Sequence, residues 1–118
     1  MSARRLAILL LPSALCLLSC KAEQKHADDT RAKTLIENYG CTACHSIPGV
    51  PGPKGMVGPP LDHIGSRTVI AGKFPNNPDT MARWIRNPQA LDPQNAMPNL
   101  GVTDVDAKEM ARYIESLK

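Results

Sequence analysis

Cys41, Cys44 and His45 stand together in the stretch Cys41-Thr42-Ala43-Cys44-His45. Residues three apart lie on one face of a helical turn, so the two thiols point the same way. Thiols so placed can add to the two vinyl groups along one edge of a porphyrin. The histidine that follows at once can bring its imidazole to the iron. The C-x-x-C-H pattern therefore predicts one covalently attached haem c, with His45 as the axial ligand on one side. Three other uses of such cysteines fit less well. A zinc site wants a second Cys/His pair downstream, and His26 and His63 stand alone. A thioredoxin-like pair needs a βαβ setting, which this Gly/Pro-rich chain does not offer. A disulfide between them would close a very short loop.

An iron that only exchanges electrons needs a sixth ligand. Outside the leader the chain offers Met56, Met81, Met97 and Met110. Met81 and Met110 fall on the apolar faces of expected helices, where core packing is the simpler role. Met56 follows His45 by a short Gly/Pro-rich loop. Met97 precedes Pro98 in an irregular segment between two helices, far enough from His45 to reach the opposite haem face. Met97 is the expected ligand, with Met56 the main alternative and His63 a weaker one.

The elements that must position these residues are short. Ala32, Leu35, Ile36 and Tyr39 recur at helical spacing and predict a first helix over Asp28 to Tyr39, ended by Gly40. Ser46 to Pro60 is expected to be a loop, since its many Gly and Pro residues preclude regular structure. Leu61 to Ser66 suggests one helical turn. Asp79 to Asn87 predicts a helix with Met81, Trp84 and Ile85 on one face and Pro88 as its stop. Gln89 to Gly101 reads as a further loop. Thr103 is the expected cap of a last helix reaching Leu117. Ala107, Met110, Ala111, Ile114 and Leu117 form its buried stripe. No strand is expected. Long loops between short helices count against a compact domain, unless they wrap a large flat cofactor.

The first nineteen residues read as a signal peptide, with Arg4 and Arg5 ahead of a short apolar run from Leu6 to Leu18. Leu17-Leu18-Ser19-Cys20 resembles a bacterial lipobox, which predicts lipidation of Cys20; cleavage near Ala22 is the alternative. Residues 20–29 are then the lipidated N-terminus and a polar tether, and residues 30–118 the folded domain. Several acyl chains at about 0.8 kcal/mol per buried CH₂ would hold that domain at the periplasmic side of a bacterial membrane. With Cys16 in the leader, no pair is left for a disulfide.

A domain of about ninety residues is near the size where a polypeptide core alone is marginal. Aromatics are few: Tyr39, Phe74, Trp84 and Tyr113. A buried macrocycle would add on the order of 10 kcal/mol of apolar burial, so the apo-chain is expected to be largely unfolded. The formal charge of +3 includes Arg4 and Arg5. Little charge remains without them, which excludes a nucleic-acid stripe and long-range steering by a lysine ring.

From about Asp28 to Lys118 the chain resembles a class I cytochrome c. The shared features run in order: an N-terminal helix, C-x-x-C-H, Gly58-Pro59-Pro60-Leu61 as a Gly-Pro-x-Leu element, an Asn-Pro helix end, Met97-Pro98 in a loop, and a C-terminal helix. The resemblance implies an all-α small cytochrome c fold, with three to five short helices and long loops around one haem. It implies that the Pro59 carbonyl accepts a bond from His45 Nδ1–H, that Leu61 packs on the haem face, that Arg67 lies near the propionates, and that Trp84 packs beside the haem on the methionine side. Many relatives carry a large aromatic where the first and last helices cross. Leu35 and Ile36 stand there instead, so a looser crossing is expected.

These features favour a monohaem one-electron carrier in a respiratory chain and not an enzyme. Its donor would be a quinol-oxidising complex or periplasmic dehydrogenase, and its acceptor a terminal oxidase. Two alternatives differ in class. One is a peroxidase-like or gas-binding haem protein with an open sixth site, which requires that Met97 not bind. The other is an accessory subunit of a respiratory complex.

Overall fold

The computed structural model describes residues 13–118, and the side chains of residues 13–18 and 27 are outside that description. Four helices carry the fold: α1 (Ser13–Asn38), α2 (Pro78–Arg86), α3 (Pro88–Leu91) and α4 (Asp104–Glu115). Two 3₁₀ turns, Cys41–Ala43 and Ile64–Ser66, lie between α1 and α2. A two-residue antiparallel ladder also forms there, β1 (Val69–Ile70) with β2 (Phe74–Pro75), in the register Val69 to Pro75 and Ile70 to Phe74. The molecule is mostly helical, as the sequence predicts for a small cytochrome c fold.

The first helix begins well before Asp28. It runs unbroken from Ser13 through the segment read as a tether. Lys21 to Ala32 holds no Gly or Pro and many good helix formers, so nothing in the local chemistry stops the helix. Gln24 Nε2 donates to Asp28 Oδ1 at 3.1 Å along its surface. No described helix is long and apolar enough to cross a membrane. The expected signal peptide lies mostly outside the described residues.

At its other end α1 stops where the sequence says it should. Gly40 takes φ +74° and donates its N–H to the Glu37 carbonyl at 2.9 Å. A left-handed residue just past a helix is the usual glycine stop, and here it turns the chain directly into the Cys41–Ala43 turn.

The core lies where α1 and α2 pack on α4. Ala32 and Ile36 of α1 are buried with Ala107, Met110, Ala111 and Ile114 of α4. Met81, Ala82 and Ile85 of α2 complete the cluster. Ile36 and Met110 are fully buried, so the crossing is closed around an isoleucine with no aromatic at that point. Polar contacts flank it. Arg31 Nε lies 3.1 Å from Glu109 Oε2, and Tyr39 Oη donates to Asp106 Oδ2 at 2.8 Å. That bond holds the Asp106 carboxyl below the usual aspartate range.

The ends of α2 and α4 follow the sequence closely. Asn77 caps α2, its side chain accepting from Thr80 N–H at 2.9 Å. Thr103 caps α4, accepting from Asp106 N–H at 3.2 Å. Asn87 both ends α2 and caps α3, accepting from Ala90 N–H at 3.3 Å, so part of the expected 89–101 loop is helical. The ladder was not expected from sequence. It is too short to show alternation, and its turn places Ala71 at φ +49° and Gly72 at φ +73°.

Candidate haem site

The Cys41–Ala43 turn puts both cysteines on one short arc after α1. Both are free thiols and half-buried, and burial pushes the Cys41 thiol up. Thr42 between them is buried. The turn is closed by its own backbone, with Ala43 N–H on Gly40 O at 3.0 Å and His45 N–H on Cys41 O at 3.0 Å.

His45 is fixed from outside the turn. Its Nδ1 lies 2.7 Å from the Pro59 carbonyl oxygen. A carbonyl only accepts, so Nδ1 carries the proton and Nε2 keeps its lone pair for a metal. The chain comes close to the ring at Gly58. A Cβ there would lie 2.6 Å from Nδ1 and 2.8 Å from Nε2, so only glycine lets the backbone pass. Gly58 N–H donates to Cys44 O at 2.8 Å, Gly55 N–H to Thr42 O at 3.1 Å, and Leu61 N–H to Ser46 O at 2.9 Å. The 46–61 loop is thus laced to the cysteine turn by backbone bonds. Tyr113 Oη adds a tie to α4 by donating to Pro48 O at 2.7 Å.

The other predicted residues separate into two groups. Leu61 and Trp84 are half-buried and pack against the core, as do Phe74 and Cys41. Trp84 and Phe74 meet with centroids 5.9 Å apart and planes tilted 41°. Arg67 is exposed, and its Nη2 donates to the carbonyls of Pro60 at 3.1 Å and Asp62 at 3.2 Å. It holds the end of the Gly-Pro-x-Leu element, with guanidinium donors to spare. Cys20 is exposed on α1.

The methionines sort by burial. Met81 and Met110 are 5% and 0% exposed inside the helix packing. Met56 is 92% exposed at the tip of its loop. Met97 alone of the four is half-buried in a loop. Its carbonyl accepts from Gln89 Nε2 at 2.6 Å. His63 is exposed with φ +55°.

Two residues important to this arrangement escape the sequence reading. Asn76 Nδ2 donates to Ile64 O at 2.8 Å and to Arg67 O at 2.9 Å, pinning the turn that carries Arg67. Gln89 holds Met97. Neither has a local signal, because each acts on a backbone 8 to 12 residues away. The Asn-Pro steps at 77–78 and 87–88 mark only the helix ends nearby.

The donor set fits a haem. Two free thiols share a turn with a histidine that has one ring nitrogen committed and the other available, and Leu61 and Trp84 are partly buried against the same core as Cys41. Among the described residues, no three or more His, Cys, Asp or Glu group together to hold a metal ion.

Comparison with known proteins agrees. Residues 30–118 match the cytochrome c family. The chain is 33% identical over 101 residues, 82% of its length, to cytochrome c oxidase subunit 2 of Alkalihalophilus pseudofirmus. It is 28% identical over 88 residues, 70% of its length, to the same subunit of Bacillus sp. (strain PS3). It is 24% identical over 94 residues, 75% of its length, to that of Bacillus subtilis. The matched regions cover 29%, 24% and 26% of those proteins, so this chain spans about a quarter of their length.

Proposed function

This chain belongs to the cytochrome c family, and from that premise we propose that it is a monohaem one-electron carrier that delivers electrons to a cytochrome c oxidase. The observation that carries the reading is the bond from His45 Nδ1–H to the Pro59 carbonyl, beside two free thiols on one turn. It holds the imidazole in one tautomer and raises its basicity toward a metal.

When bound, the haem supplies ferrous–ferric exchange. The chain does the rest. Cys41 and Cys44 would form the thioethers that tie the macrocycle to the turn. His45 Nε2 and the Met97 thioether would be the chain's two ligands to the iron. Leu61 and Trp84, half-buried against the core, would pack on the ring and keep water from it. Arg67, already spending one nitrogen on the loop carbonyls, has other donors for a propionate. His/Met ligation raises the potential relative to histidine alone, which suits a donor to an oxidase. The printed names of the relatives, cytochrome c oxidase subunit 2, support that acceptor. They also favour a second reading, in which the chain works as a bound subunit of such a complex and not as a free carrier.

The leader pattern supports export, with a lipid on Cys20 holding the domain on the outer face of a bacterial membrane. Replacing Cys20 with serine should release the protein from carbonate-washed membranes or block its processing. Wild-type protein that is fully soluble, with an N-terminus after Ala22, would exclude the anchor.

Optical redox titration of the holoprotein tests the main reading. One reversible one-electron wave, a weak far-red methionine–iron band in the ferric state, and oxidation of the ferrous protein by a cytochrome c oxidase are expected. Rapid carbon monoxide binding together with reaction with peroxide would replace the carrier with the open-site alternative.

A further inference from the structure

The loop that carries Met97 is built differently from the rest of the site. Among the described residues, no backbone-to-backbone hydrogen bond involves 96–100. Before them, Asn95 N–H reaches Asp92 O at 3.1 Å, and the Asn95 side chain donates to the same carbonyl. After them, Gly101 N–H donates to Asn99 Oδ1 at 2.9 Å. Among the described residues, the Met97 backbone is held by one group, the Gln89 side-chain amide, at 2.6 Å from the Met97 carbonyl.

Gln89 sits on a firm base. It follows Pro88, whose side chain is fully buried, and lies in α3, which Asn87 caps. Asp92 closes that turn with its N–H on Pro88 O at 2.9 Å, and its carboxylate pairs with Lys73 Nζ at 2.8 Å. A half-buried amide on a capped turn therefore reaches across to the one residue of the loop whose position matters most.

We infer that Gln89 is a positioning residue for the sixth ligand: its amide fixes the Met97 backbone and so sets how firmly the thioether stays on the iron. The inference rests on the proposed ligation by Met97. A loop without a backbone ladder loses more order when it lets go than a helix does. Restraining Met97 at its own carbonyl lowers the entropy that ligation must overcome, without touching the sulfur. The effect is on the equilibrium between Met-bound and Met-free iron and not on the fold.

The test is competition by imidazole on the ferric holoprotein, read by loss of the far-red band. Gln89→Glu has the same shape and no donor at neutral pH. It should raise the apparent imidazole affinity about tenfold, the size of one lost hydrogen bond of ordinary strength, and weaken the band. Gln89→Lys keeps a donor on a flexible stem and should recover most of the wild-type resistance. Far-UV circular dichroism and covalent haem content should be unchanged in both. Equal imidazole affinity in wild type and Gln89→Glu overturns the inference. So does an equal rise in Gln89→Glu and Gln89→Lys, which would show that packing alone was lost. Met97→Ala runs beside them. If it keeps the far-red band, the ligand reading itself is wrong and the role of Gln89 falls with it. If it loses the band while the Gln89 variants match wild type, only the positioning role fails.

Discussion

The His45 side and the Met97 side of the site are held by different means. Residues 40–61 are laced by backbone bonds, with the His45 ring clamped between the Pro59 carbonyl and the close pass of Gly58. Residues 96–100 have no such ladder and hang from side chains, chiefly Gln89. Backbone bonds do not depend on which side chain stands where, so the first side tolerates most substitutions and fails at its chemical groups. The second side depends on individual side chains and loosens by degrees. Under the proposed ligation, Met97 would let go first when the protein is stressed, while the tightly held His45 would stay in place.

The largest effect should come from removing the chemistry of the tight side. Cys41→Ser with Cys44→Ser should abolish covalent haem on denaturing gels stained for haem, and the chain should lose most of its helical signal. Undiminished covalent haem in that double variant would break the comparison at its root.

Met97→Ala should leave haem attached and open the sixth position. The ferrous protein should bind carbon monoxide readily and the midpoint potential should fall, because a thioether favours ferrous iron more than the replacement ligand does. Met56→Ala, at a side chain 92% exposed, should change neither property. The reverse result would move the soft side to the 46–60 loop.

Gly58→Ala tests how tightly the histidine side is packed. The new methyl has no room beside the imidazole, so the loop must shift or the ring must turn. Overpacking of this kind costs about 1–3 kcal/mol, read as a lower urea midpoint at unchanged slope. A variant as stable as wild type, with an unchanged spectrum, would show that this side is more pliant than its bonds suggest.

The smallest effect belongs to the rim of the soft side. The Lys73 ammonium bonded to Asp92 holds that carboxyl below the usual aspartate range. A depressed folded pKa gives stability that is full above the unfolded value of about 3.9. That stability is lost as pH falls through the folded value. Lys73→Ala should therefore flatten the acid limb of the stability profile slightly, and added salt should shrink the difference between the two proteins, because the pair is at the surface. An acid limb identical in the two proteins at low salt would show that the pair contributes nothing to the loop.

Much of this was legible in the residues. The attachment turn is a matter of spacing within five residues, and Gly40, Thr103 and Pro88 mark helix ends by local chemistry alone, whereas the Asn77 cap came only from the structure. The stripe Ala107, Met110, Ala111, Ile114 and Leu117 is read from period; the structure buries the first four, while α4 ends at Glu115 and leaves Leu117 half-buried beyond it. The first helix was placed too late, since a polar run after an apolar one looks like a tether although its residues are good helix formers. The ladder at 69–75 was missed because two residues per strand carry no pattern.

What the sequence determined by itself is whatever depends on neighbours along the chain: the paired thiols, the adjacent imidazole, the caps and the helical faces. What only the tertiary structure decided is which distant groups meet. His45 and Pro59 are 14 residues apart, Asn76 and Ile64 are 12, and Gln89 and Met97 are 8. The crossing of α1 with α4 buries Ile36 and Met110 fully. Such meetings follow from how short helices dock and how glycine lets a loop approach a ring. Those are packing outcomes, set by the sum of many contacts, and no local run of residues encodes them.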